Sequence, residues 1–95
     1  MAKHLRITGL VQGVGYRATF ARQARAFGLS GWVRNRQDGS VEATVTGGAQ
    51  ALARIIAWAG HGPAGAQVRS VAVTEMDDGD DDLAPDGEFR ILPST

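Results

Sequence analysis

The sequence predicts an α+β sandwich: one antiparallel sheet with two helices packed on one of its faces. Three observations carry this expectation. Four segments alternate apolar and polar residues, two others repeat apolar residues at helical spacing, and an Asp-Gly pair separates the second alternating segment from the third.

The first strand is expected over residues 3–11, with Leu5, Ile7, Gly9 and Val11 on one side and His4, Arg6 and Thr8 on the other. Gly13 and Gly15 break it. Over residues 17–27, Phe20, Ala21, Ala24 and Phe27 recur as one face of a helix, and Gly28 supplies a stop. Residues 29–34 form the second strand, with Leu29 and Val33 apolar and Trp32 between them. Gln37-Asp38-Gly39-Ser40 reads as a tight hairpin turn. In the third strand Val41, Ala43 and Val45 alternate with Glu42, Thr44 and Thr46, and Gly47-Gly48 ends it. Leu52, Ile55, Ile56 and Ala59 give the stripe of a second helix. Residues 60–65 form a loop, residues 67–75 alternate as a fourth strand, and residues 88–92 add a short edge strand. The order βαββαβ, with a hairpin at its centre, is the ferredoxin-like arrangement. The whole chain, residues 1–95, is expected to be one domain.

Composition narrows the chemistry. There is no cysteine, which excludes disulfides, a thiolate nucleophile and a Cys-ligated zinc. Only His4 and His61 are present, too few for a histidine metal site within one chain. No apolar run approaches the roughly 20 residues that span a bilayer, and no leader pattern opens the chain. The expectation is a cytoplasmic protein. Net charge is zero, but residues 1–50 hold seven Lys/Arg against two Asp/Glu (+5), and residues 51–95 hold three against eight (−5). A basic first half suits an anionic ligand. Opposed faces that merely pair or solvate each other would give the same balance.

The segment Val11-Gln12-Gly13-Val14-Gly15-Tyr16-Arg17 lies between a strand and a helix. Two glycines one residue apart let successive N–H groups converge on one point, and the helix N-terminus behind them adds unpaired donors. A Gly-x-Gly here is also the mark of an ordinary tight turn. The arginine is the informative residue, because the helix dipole disfavours a cation in the first turn unless an anion lies between. Its planar fork matches two phosphate oxygens. Gly13-x-Gly15-x-x-Ala18 also fits a dinucleotide fingerprint, but the hairpin that follows and the short chain argue against a doubly wound sheet. A Walker A sequence is absent.

Asn35 closes the second strand in Gly31-Trp32-Val33-Arg34-Asn35-Arg36. In this topology that end approaches the glycine loop. An amide both donates and accepts, so Asn35 is able to hold a water in line with a scissile P–O bond. Asn also starts turns, so the residues alone leave both roles open.

These motifs, together with Gly28-Leu29, Asp38-Gly39-Ser40-Val41-Glu42, Gly62-Pro63, the strand at residues 68–73 and Phe89-Arg90-Ile91, resemble the acylphosphatase family over nearly the whole chain. The resemblance implies hydrolysis of acyl phosphates to a carboxylate and inorganic phosphate. It implies that Arg17 binds phosphate in catalysis, that Asn35 orients the water, and that Gln12, Gly13, Val14, Gly15, Tyr16 and Arg17 line the phosphate cradle. No metal and no cofactor are implied.

The chemistry fits so spare a site. The departing carboxylate needs no proton, its conjugate acid having a pKa near ~4. Phosphoryl transfer asks chiefly for positioning and charge stabilisation. Neither motif contains Ser, Cys or His, so no covalent phosphoenzyme is expected. The partners expected are a small acyl phosphate and its phosphate product, with no nucleic acid and no membrane, acting on a monomer.

Two rival readings remain at this point. An RNA-binding module shares βαββαβ, yet residues 41–46 lack its aromatics. A non-catalytic phosphate-binding or regulatory module is the other, and a chain ending just past the fold argues for a freestanding enzyme instead. His4 and His61 are expected at the solvated surface, the latter in the Gly-rich loop. Trp32 and Trp58 are expected as packing residues. The acidic residues 77–82 are expected as a solvated loop, since Leu83 and Phe89 spoil a calcium-loop reading.

Overall fold

A computed structural model describes residues 1–76 and 87–95. The elements are β1 (Ala2–Leu10), α1 (Tyr16–Ala26), β2 (Ser30–Asn35), β3 (Val41–Thr46), α2 (Ala49–His61), β4 (Gln67–Met76) and β5 (Phe89–Ile91). The strands form one sheet in the order β4-β1-β3-β2-β5. The two central strands β1 and β3 pair antiparallel, with Leu5 opposite Ala43 and Ile7 opposite Val41.

Periodicity decides which side chains are inside. Successive strand residues face opposite ways, so Leu5, Ile7, Val33, Val41, Ala43 and Val45 all point to one face and are wholly buried there. Helix α1 covers that face over β2 and β5, and α2 covers it over β1 and β4. From α1 come Tyr16, Phe20, Ala21 and Ala24, and from α2 come Leu52, Ile55 and Ala59. Phe20 packs against Tyr16, Trp58 and Phe89 with ring centroids 5.7–6.2 Å apart. Fully burying one such side chain contributes about 1.5–3 kcal/mol. Trp58 is thus a packing residue, as its sequence context suggests. Trp32 is buried on the other face of the sheet, under the Arg34 guanidinium at 4.7 Å from its ring.

The helix ends follow local chemistry. Gly28 ends α1 in a left-handed conformation, with its N–H on the Arg25 carbonyl and the Leu29 N–H on the Ala24 carbonyl. That pair of bonds is a Schellman closure. The expected loop at residues 60–65 starts later, because α2 runs on through His61 and stops at Gly62, whose N–H returns to the Trp58 carbonyl. His61 is therefore the last residue of a helix, not a loop residue.

The sheet departs from the all-antiparallel expectation at one edge. Strand β5 joins β2 in parallel, with Gly31 opposite Phe89 and Val33 opposite Ile91, and the sheet is mixed. The reason is topological. Strand β4 occupies the far edge and runs opposite to β1 and β2, so a chain returning from its end to the β2 edge arrives pointing the same way as β2. The acidic residues 77–82, expected as a solvated loop, lie outside the described residues.

Candidate active site

The site is built where β1 gives way to α1. Val11, buried to 1% exposure, anchors the end of the strand in the core. Gly13 and Gly15 both adopt φ +78°, a left-handed conformation that costs other L-residues about 1–2 kcal/mol. Left-handed residues at such spacing let consecutive main-chain N–H groups converge. Gly15 is the N-cap of α1 and makes no side-chain cap, and no acidic residue occupies the first turn. The donors at this helix end therefore lack a carboxylate or hydroxyl cap. A Cβ built on Gly13 or Gly15 would meet no atom within 4 Å, and both glycines line a cavity.

Arg17 and Asn35 reach this space from different elements. Arg17 sits in the first turn of α1, and Asn35 is the last residue of β2. Asn35 lies opposite Val41, on the face of the sheet that carries the helices. Both residues line one cavity of about 220 Å³, together with Gly13, Gly15 and Ile91. Arg17 forms no ion pair among the described residues and donates one hydrogen bond, from Nη1 to the Leu92 carbonyl at 3.3 Å. A partly buried guanidinium without an ion pair among the described residues, sharing a cavity with an uncapped helix N-terminus, suits an anion with several oxygens.

The remaining loop residues divide the work. The Gln12 side chain turns away from the cavity and donates to the carbonyls of Arg36 at 2.7 Å and Ser40 at 2.9 Å. It ties the loop to the β2–β3 hairpin, leaving only main-chain groups of Gln12 for a ligand. Val14 packs against the core. Tyr16 buries its ring beside Trp58 and donates its hydroxyl to the Ala59 carbonyl at 2.7 Å, which pins the end of α2 to the start of α1. Burial pushes the Tyr16 hydroxyl pKa well above its ordinary value. Tyr16 also lines the cavity.

Sequence reasoning missed the C-terminal side of the site. Ile91 lines the cavity, and the Leu92 carbonyl meets Arg17. Beyond β5 the chain continues along β2, with the Thr95 N–H on the Asn35 carbonyl at 3.0 Å and the Gln37 N–H on the Thr95 carbonyl at 2.7 Å. The main chain of Asn35 is thus fixed from the edge side. The motif Phe89-Arg90-Ile91 was visible, but nothing in it announces a parallel partner beside Asn35.

The hairpin beside the site is held by its own chemistry. Asp38 Oδ1 accepts from the Ser40 N–H at 2.9 Å and the Ser40 hydroxyl at 2.6 Å, while Oδ2 accepts from Arg6. The Ser40 bonds and the Arg6 charge hold the Asp38 carboxyl below the usual range. Asp38-Gly39 does not make a two-residue turn. The Gly39 N–H bonds to the Arg36 carbonyl and the Arg36 N–H to the Ser40 carbonyl, so Gly39 takes the left-handed position of a longer loop. On the open face of the sheet Glu42 accepts from His4 at 2.7 Å, Arg34 at 2.8 Å and Arg36 at 3.0 Å. Burial raises its pKa, but those three donors outweigh burial and bring it down to about 2. His4 is therefore half-buried in a charged network, not simply solvated as its place on a polar strand face suggests. Among the described residues no three His, Asp or Glu side chains gather as a metal-holding group, and no helix is long and apolar enough to cross a membrane.

Comparison with known proteins gives the family and the fold. The sequence model of the Acylphosphatase family matches residues 3–91. An acylphosphatase of Azoarcus sp. (strain BH72) is 58% identical over 72 residues, 76% of this chain and 74% of that protein. An acylphosphatase of Acidovorax sp. (strain JS42) is 53% identical over 75 residues, 79% and 77% of the two chains. Among solved structures, the crystal structure of acylphosphatase from Bacillus subtilis superposes with a TM-score of 0.84 at 30% identity, covering 97% of this chain and 99% of that one.

Proposed function

This chain belongs to the acylphosphatase family and hydrolyses acyl phosphates, and we propose that Arg17 and the amides of residues 13–17 hold the phosphoryl group while Asn35 directs water at phosphorus. The observation that carries this reading is the shared cavity of Arg17, Asn35 and the two left-handed glycines.

The roles follow from charge and reach. A phosphoryl group in the cavity meets donors on one side from the turn and on the other from the Arg17 guanidinium. Both act on the equatorial oxygens, where charge resides in a loose transition state. A fixed donor of this kind is worth on the order of 10²–10³ in rate. The Asn35 amide accepts a hydrogen bond from the attacking water and donates one to a phosphoryl oxygen, which sets the line of attack. Water attacks phosphorus, the P–O bond to the acyl oxygen breaks, and the carboxylate departs with the bonding pair. Its conjugate acid has a pKa near ~4, so no general acid has to protonate it. The water's proton leaves to solvent or to a phosphate oxygen. A cytoplasmic, monomeric enzyme of one domain is the matching proposal, and its mass in solution by light scattering tests the oligomeric part.

The mechanism is tested by hydrolysing benzoyl phosphate in ¹⁸O-labelled water. Attack at phosphorus puts the label in inorganic phosphate. Label in benzoate would mean attack at the carbonyl and would remove the role given to Asn35.

A further inference from the structure

A second, larger cavity of about 640 Å³ lies where the open face of the sheet meets the β2–β3 hairpin. Its size is that of a small-molecule site, for which roughly 300–1,000 Å³ is usual. Consecutive residues divide the two spaces: Leu10 lines this cleft and Val11 lines the Arg17 cavity. The hairpin residue Ser40 is shared in another sense, since it lines the cleft and its carbonyl receives Gln12.

The cleft owes its shape to a bulge. Thr8 pairs with Ser70 but Gly9 pairs with Val68, which leaves Arg69 as an extra residue in β4. Gly9 makes this possible. Its φ is +125°, and a Cβ there would lie 2.2 Å from the Gln67 carbonyl oxygen and 2.7 Å from the Arg69 nitrogen. Bulges re-aim side chains beside functional sites, and here the extra residue brings Arg69 to a cleft that already contains Arg6. The charges do not cancel. Asp38 has one oxygen on Arg6 and the other on Ser40, while Arg69 has no ion pair among the described residues. Leu10, 64% exposed, adds an apolar wall to this basic cleft.

We propose that this cleft is a second anion site, which takes the carboxylate or phosphate of a small organic anion with a short apolar body and holds it at Arg69 beside Arg6. Two sources supply that chemistry. One is the far end of an acyl phosphate bound at Arg17, a version that rests on the catalytic reading above. The other is a separate molecule.

Two measurements on the full chain decide it. Succinate is titrated while the main-chain amides are followed by NMR, in the wild type, Arg69→Ala and Arg69→Lys. In parallel, KM is measured for benzoyl phosphate and for succinyl phosphate, which carries a distal carboxylate. If the anion is the acyl end, Arg69→Ala raises KM for succinyl phosphate about tenfold, the loss of one charge-assisted hydrogen bond, and leaves benzoyl phosphate unchanged. If the anion is separate, both KM values hold. Succinate then moves the amides of Gly9, Leu10, Gly39 and Arg69, an effect lost in Arg69→Ala and retained in Arg69→Lys. The proposal is overturned if succinate leaves those amides still and neither KM moves, or if the shifts survive in Arg69→Ala with neither KM changed. Should the wild type hydrolyse neither acyl phosphate, the catalytic reading fails, and the succinate titration still judges the cleft.

Discussion

The Gln12 side-chain amide donates to the Ser40 carbonyl at 2.9 Å and so fastens the glycine turn to the hairpin that follows Asn35. Its second bond, to the Arg36 carbonyl, grips the residue next to Asn35. The two halves of the site are thereby held by one side chain that faces away from the cavity.

Gln12→Leu is expected to lower kcat for benzoyl phosphate by on the order of tenfold, because misplacing reacting groups by about 1 Å costs that much or more. Losing two hydrogen bonds of about 1 kcal/mol each also lowers stability. Gln12→Glu, which cannot donate to carbonyls once ionised, is expected to behave like Gln12→Leu. Steady-state kinetics with urea unfolding checks both, and unchanged kcat in Gln12→Leu would remove the positioning role.

Gly15→Ala is expected to cost about 1–2 kcal/mol of stability, since φ +78° is strained for alanine. The new methyl group meets no protein atom. Gly15 lines the Arg17 cavity, so affinity for inorganic phosphate is expected to fall as well. Calorimetric phosphate titration beside a thermal melt separates the two effects.

Tyr16→Phe is expected to destabilise by about 1–2 kcal/mol, because the buried Ala59 carbonyl loses its donor. Turnover is expected to remain, as the hydroxyl is engaged by the Ala59 carbonyl. A urea midpoint and a benzoyl phosphate assay on one preparation test both halves.

Glu42 supplies a pH signature. Its folded pKa lies at about 2 against an ordinary 4.5, so the unfolded chain takes up the proton first as pH falls. The stabilisation it gives is complete above pH 4.5 and drains away between there and about pH 2. Glu42→Gln is expected to be less stable than the wild type at pH 7 and to approach it near pH 2. Urea midpoints across that range check this, and a gap that stays constant with pH would contradict it.

Much of this was legible in the chain. Strand alternation gave β1 and β3, because the residues facing the helices are apolar and those between them are mostly polar. The stripe Leu52, Ile55, Ala59 gave α2 for the same reason. Gly13 and Gly15 stood out as a strand-to-helix turn, and Arg17 because a cation in a helix's first turn runs against the helix dipole unless an anion lies between. Contacts between distant segments were not legible. The parallel seat of β5 depends on which edge β4 leaves free, and no residue of Phe89-Arg90-Ile91 encodes that edge. The Gln12 side chain's role was hidden because its partners, the Arg36 and Ser40 carbonyls, are main-chain atoms without a sequence signature. The charged network of His4 likewise depends on Glu42 in the neighbouring strand, reached only through pairing register.

The division of labour between Arg17 and Asn35 is measured most directly by pairing turnover of benzoyl phosphate with binding of inorganic phosphate in Arg17→Ala and Asn35→Ala. Asn35→Ala is expected to lose turnover by on the order of 10²-fold or more while keeping phosphate affinity, and Arg17→Ala to lose both with its fold intact. Normal turnover in either variant, or an Asn35→Ala protein that hydrolyses substrate yet no longer binds phosphate, would contradict these roles.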